Sequence, residues 1–159
     1  MTNPVEITAP EGLPFVDVVR EFEAPAALVW RAWTEPELVS RWLGPRGYEM
    51  DIEQWSLVTG GRYRYVHRDP EGAEYIFNGV VHLADPGRVL IQTFEWEGAP
   101  QIVSIDTLRF QDLGDGRSRA VGHSVFPSVQ ARDGMITSGM ERGLTEGYRQ
   151  LDEVLAGLT

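Results

Sequence analysis

The chain has 159 residues, of which 42% are hydrophobic and 24% charged, enough for one domain with a sizeable core. A net charge of -10 repels phosphate backbones and anionic lipid surfaces, so neither nucleic acid nor membrane is an expected partner. There is no cysteine, and all 14 basic residues are arginine, which excludes disulfides, thiolate chemistry, thiolate-bound metal and lysine Schiff bases.

Residues 1–14 carry neither a basic segment nor an apolar signal core. They are expected to be a Pro-rich lead-in that orders only near Phe15, followed by a single domain over 15–158. The missing secretory signal makes the cytoplasm the expected location, and no apolar run is long enough to span a bilayer. Residues 15–23 alternate well enough for a first strand. Pro25 suits the first position of a helix, where its missing N–H is harmless, and Leu28, Val29, Ala32 and Trp33 form an apolar stripe. A second short helix is predicted over 35–43, with Pro36 near its start and Gly44-Pro45 as its stop.

From Tyr48 the period changes to two. Tyr48, Met50 and Ile52 alternate with acidic residues, as in a half-buried strand. Further strands are predicted over 62–68, 74–83, 88–96, 102–111 and 118–126. Turn signals at Asp69-Pro70-Glu71-Gly72, Asp85-Pro86-Gly87, Gly98-Ala99-Pro100 and Gly114-Asp115-Gly116 separate them. Connections this short require an antiparallel meander. The remainder, 129–158, reads as one long helix with a buried stripe that includes Met135, Met140, Leu144, Tyr148 and Leu151. Glycines at 134, 139, 143 and 147 point to close approach of another backbone, to a softened N-terminal half, or to both.

The segments AWTEPELVSRWLGP, GGRYRYVHRDPEG, VFPSVQARDGM and GMERGLTEGYRQLDEVL resemble those of activators of heat-shock-protein-90 ATPase homologues, within the START-like, or SRPBCC, superfamily. The resemblance covers roughly residues 15–158. It implies an α+β helix-grip fold, with a curved antiparallel sheet wrapped around the last helix and a cavity between them. The eukaryotic co-chaperone of that family has a further N-terminal domain. This chain shows none, so direct chaperone activation is not expected to carry over.

Strand parity then selects the cavity side chains. If Arg62, Arg64 and Arg68 face solvent, Tyr63, Tyr65 and His67 point inward, opposite Tyr75, Phe77, Gly79 and Val81. The same argument turns Gln92, Phe94 and Trp96 inward, then Ser104, Asp106, Leu108 and Phe110, then Ala120, Gly122, Ser124 and Phe126. Trp33 and Trp42 are expected at the cavity mouth, and Met135 and Met140 on the gripping helix. An apolar space with a few polar groups is the usual make-up of a small-molecule site. The expected ligand contacts are therefore Trp42, Tyr63, Tyr65, His67, Tyr75, Phe77, Gln92, Phe94, Asp106, Ser124, Met135 and Met140.

Each has a structural alternative. Tyr63 and Tyr65 could be core residues with rim hydroxyls, His67 could be half exposed beside its turn, and Asp106 could be paired to an arginine or tyrosine. Hydrolase, zinc-protease and phosphate-loop motifs are missing, and the three histidines fall on separate strands, so no metal or cofactor is expected. Acid–base chemistry would rest on Asp106, His67 or the tyrosines, with Asp106 and His67 the leading candidates. Three functions are compatible with these residues: binding of a small hydrophobic or aromatic molecule, a polyketide cyclase/aromatase-like enzyme, or a chaperone-associated, stress-related interaction module. An open sheet edge could also pair in a homodimer.

Overall fold

Alternation of apolar and polar residues dominates the chain between Phe15 and Val125, and it is expressed as a single antiparallel sheet. The structure, a computed structural model, describes residues 3–159. Its strands are β1 (Val5–Thr8), β2 (Phe15–Phe22), β3 (Glu49–Trp55), β4 (Arg62–Arg68), β5 (Glu74–Asp85), β6 (Val89–Trp96), β7 (Val103–Gly114) and β8 (Arg117–Val125). They lie in the order β1-β2-β8-β7-β6-β5-β4-β3, so the first long strand closes against the last. Helices α1 (Ala26–Thr34) and α2 (Pro36–Val39) follow β2, and α3 (Val129–Thr137) and α4 (Met140–Leu158) end the chain. This is the helix-grip architecture.

The core lies between the inner sheet face and the helices. Trp42 is only 2% exposed; its indole Nε1 donates to the Ala32 carbonyl at 2.9 Å and its ring meets Trp33 edge-on at 4.7 Å. Tyr148 of α4 packs on Phe22 of β2 at 5.6 Å, joining the final helix to the first long strand. Burying a large apolar side chain of this kind contributes roughly 1.5–3 kcal/mol. No helix among the described residues is long and apolar enough to cross a membrane.

Three features differ from the sequence expectation. The lead-in is not irregular: Val5–Thr8 pairs with Asp17–Arg20 and forms the sheet edge. The second helix is one turn only, because Ser40 closes it on the Pro36 and Leu38 carbonyls and the chain turns from there to Gly44. The terminal helix is two helices, divided at Gly139, whose φ of 99° lies in the left-handed region that side chains disfavour. The glycine series has two separate causes. Gly147 is the close approach, since a Cβ there would sit 3.2 Å from the Trp42 carbonyl, whereas Gly134 and Gly143 face open space.

α3 is held to the N-terminal segment by Arg132, whose guanidinium donates to the Pro10 carbonyl at 2.7 Å and the Phe15 carbonyl at 3.2 Å. That fixes the start of the helix pair over one end of the sheet.

Candidate functional site

A cavity of about 280 Å³ lies between the inner sheet face and the α3–α4 pair. The period-two rule of a strand builds its sheet wall. Val16 and Val18 come from β2, Leu90, Gln92 and Phe94 from β6, Ser104, Asp106 and Leu108 from β7, and Gly122 and Ser124 from β8. Tyr63 and Tyr65 of β4 and Trp55 of β3 close one side; Trp33, Met135, Met140, Leu144 and Tyr148 close the helical side. Gly122 keeps the space open: a Cβ there would make only ordinary contact, 3.6 Å from Leu108.

The polar groups gather in one corner. Gln92, Asp106 and Ser124 are direct cross-strand neighbours on β6, β7 and β8, and so share one rung of the sheet. Ser104, two residues along β7, donates its hydroxyl to Asp106 Oδ1 at 2.9 Å. Burial pushes the Asp106 carboxyl up from its ordinary value, and the Ser124 and Ser104 hydroxyls partly offset this. The Gln92 Oε1 atom is buried without a hydrogen-bond partner. An unpaired buried polar group costs about 1–3 kcal/mol, so this atom awaits a donor.

The tyrosines of β4 have different roles. Burial raises Tyr63 well above the usual phenol range, helped by Tyr65 and by the Asp106 charge, and its hydroxyl donates to the Thr93 carbonyl at 2.5 Å. That hydroxyl is committed to the sheet. Tyr65 is likewise raised, by burial and then by Asp106, and stays a neutral phenol. Its ring stacks on Phe77 at 5.2 Å, and Phe77 stacks on Phe94 at 5.3 Å, so Phe77 braces the two lining rings from outside the cavity.

Of the residues expected to contact ligand, Tyr63, Tyr65, Gln92, Phe94, Asp106, Ser124, Met135 and Met140 line the cavity. Trp42, His67, Tyr75 and Phe77 do not. Trp42 is turned down among the helices. The turn-proximal ends of β4 and β5 are covered by the segment around Gly44 and Tyr48, which takes the place a ligand would have there. His67 is buried at 6% exposure with its Nε2 unpartnered, and a Cβ on Gly44 would lie 2.6 Å from its ring. Burial lowers its imidazole from 6.5 to about 4, with the Leu43 backbone raising it in part. Tyr75 stacks with Tyr48 at 6.2 Å and donates to Asp69 at 3.2 Å. Phe77 packs between Tyr65 and Phe94 without lining the cavity, and Trp96, expected inward, is 38% exposed at the strand end.

Sequence reasoning did not assign ligand contact to Val16, Val18, Leu144 or Tyr148, although β2 alternation and the α4 stripe place them inward, nor to Trp55, which the register shift between Ile52 and Gln54 of β3 brings opposite Tyr63. It also missed Arg20. That residue follows Val16 and Val18 on the inner face, is 1% exposed, and forms a bidentate pair with Asp152 of α4 at 2.6 Å on both arms. Its guanidinium lies over the Phe22 ring at 4.9 Å. This cation is therefore spent on joining sheet to helix. On the outer face, Arg64 is held by Glu53 and Glu97, and Arg68 by Glu49, Asp51 and Glu74, so those arginines do not present free positive charge. Among the described residues no three His, Asp or Glu side chains converge as a metal site.

The fold recurs in solved structures. A protein of Rhodobacter sphaeroides is similar at 29% identity and a TM-score of 0.86, with 97% of this chain and 99% of that one covered. One from Arthrobacter aurescens shows 25% identity and a TM-score of 0.86, covering 96% and 91%. DynU16, from the dynemicin biosynthetic locus, shares the fold at 19% identity and a TM-score of 0.66, over 90% of this chain and 47% of that one. No curated protein matches the sequence. The family described as Activator of Hsp90 ATPase homolog 1-like protein matches residues 23–156, and the chain therefore belongs to that family.

Proposed function

We propose that this protein binds a small aromatic or otherwise hydrophobic molecule in the cavity between the sheet and the α3–α4 pair. The observation that carries this reading is the make-up of the space: apolar and aromatic walls converging on a single polar corner, with one buried acceptor, Gln92 Oε1, left unpaired. Side chains selected only for packing would fill the space beside Gly122. A volume near the lower end of small-molecule sites suits a compact ring system better than a long-chain lipid. Native mass spectrometry of the protein purified from its own host tests the proposal. A co-purifying mass of a few hundred daltons, released on denaturation, supports it. A clean apo mass, together with no thermal shift across a panel of aromatic compounds, refutes it.

One observation favours a second reading, an acid–base enzyme of the polyketide cyclase kind. The Asp106 carboxyl lies within the cavity, and burial raises it from its ordinary value, the direction that suits a general acid or base, with the Ser124 and Ser104 hydroxyls opposing in part. His67, the other candidate, is walled off behind Tyr65 and Gly44, so this chemistry would rest on Asp106. Turnover of a bound ligand that disappears in Asp106→Asn while binding persists would establish the enzyme. Unchanged ligand after prolonged incubation leaves the binder.

A further inference from the structure

The charge of the cavity is one-sided. Its lining contains a carboxylate, Asp106, and no arginine, and the chain has no lysine. Arg20 shares the inner face but its two guanidinium arms are occupied by Asp152. His123 borders the cavity wall, and its Nδ1 faces Asp17 at 2.6 Å. An anionic ligand group would therefore enter a desolvated corner beside a carboxylate with no free cation to receive it.

The hydrogen-bonding polarity points the same way. Gln92 Oε1 is an acceptor with no donor, and Asp106 accepts from Ser104 and Ser124 with lone pairs to spare. The Ser104 and Ser124 hydroxyls are both committed to Asp106, so neither supplies the donor that Gln92 Oε1 lacks. A ligand completes it by bringing N–H or O–H groups.

Resting on the ligand-binding reading above, we infer that the cavity selects compact aromatic molecules that are cationic or neutral and carry an N–H or O–H donor directed at Gln92 and Asp106, and that it rejects carboxylates and phosphates. Arylalkylamines and aryl alcohols fit this description; aryl carboxylic acids and fatty acids do not. The charge pattern decides this selectivity, because the walls accept any flat ring of suitable size.

Three probes with one ring system test it: naphthylmethylamine, naphthalenemethanol and naphthylacetic acid, titrated calorimetrically into the wild-type protein at neutral pH. The expected order is amine, alcohol, acid, with the amine at least tenfold tighter than the acid. In Asp106→Asn the amine-to-acid ratio should fall to within about threefold, and in Gln92→Leu the alcohol should lose several-fold in affinity. The wild-type ratio stands as a test even if a variant fails to fold. Acid binding as tightly as amine in the wild-type protein overturns the selectivity while leaving the ligand-binding reading intact. So does a ratio unchanged in folded Asp106→Asn. Failure of all three probes to bind, the uncharged alcohol included, overturns the ligand-binding reading itself and the selectivity with it.

Discussion

His67 gives the fold a specific dependence on pH. Burial lowers the imidazole from 6.5 to about 4, the Leu43 backbone opposing in part. In the unfolded chain His67 takes up its proton near pH 6.5, whereas the folded protein delays it until about pH 4. Between those values the unfolded state binds more protons, so stability is complete above the upper value and falls as pH falls toward the lower one. At about 1.4 kcal/mol per pH decade, the full gap is worth about 3 kcal/mol, of which about 2 kcal/mol is lost between about pH 7 and about pH 5. The cause lies in the packing: the ring sits against Tyr65 and Phe77, with Gly44 across it and Nε2 unpartnered. Urea unfolding at both pH values, on wild type and His67→Leu, isolates the effect, because the surface carboxylates are common to both proteins and cancel in the difference. Wild type should lose about 2 kcal/mol more than the variant. Parallel pH dependence in the two proteins would refute the reasoning.

Other perturbations follow from the same geometry. Asp152→Asn leaves the Arg20 guanidinium buried without its counter-charge and should cost about 3 kcal/mol in urea unfolding, while Arg20→Met, which removes the buried charge, should cost less. Gly79→Ala would drive a methyl into the Thr93 carbonyl and the Tyr63 hydroxyl, with an expected loss of about 3 kcal/mol read from the unfolding midpoint. Gly122→Val adds bulk where only ordinary contacts exist; it should change stability by less than about 1 kcal/mol yet abolish ligand binding in calorimetry. Gly139→Ala meets the left-handed break between α3 and α4 and should cost about 1–2 kcal/mol, visible as a lower melting temperature.

The meander and the inward direction of Gln92, Asp106 and Ser124 were legible because a strand has a period of two and the turn chemistry between strands is strong. Parity says which way a side chain points and not what stands in front of it. His67 and Tyr75 do point inward from the sheet, but Tyr48 and Gly44 occupy the space before them. That covering depends on a tertiary contact that no local pattern encodes. Arg20 shows the converse case. Its position in the β2 alternation is inward, and a buried cation there is tolerable only because Asp152 of α4 lies opposite. Val5–Thr8 is four residues between prolines, and it is a strand only because the β2 edge supplies its partners. The helix break was signalled by four glycines. Which of them breaks and which packs depends on the Trp42 carbonyl lying beside Gly147.

Methionine methyl NMR tests ligand occupancy of the cavity most directly. The chain has four methionines; Met135 and Met140 line the cavity, whereas Met50 packs against the core outside its lining. With methyl-labelled protein titrated with naphthalenemethanol, the Met135 and Met140 resonances should shift together and saturate, while Met50 stays in place. Saturating shifts at Met50 with Met135 and Met140 unmoved, or no shift at any of the three, would contradict the account.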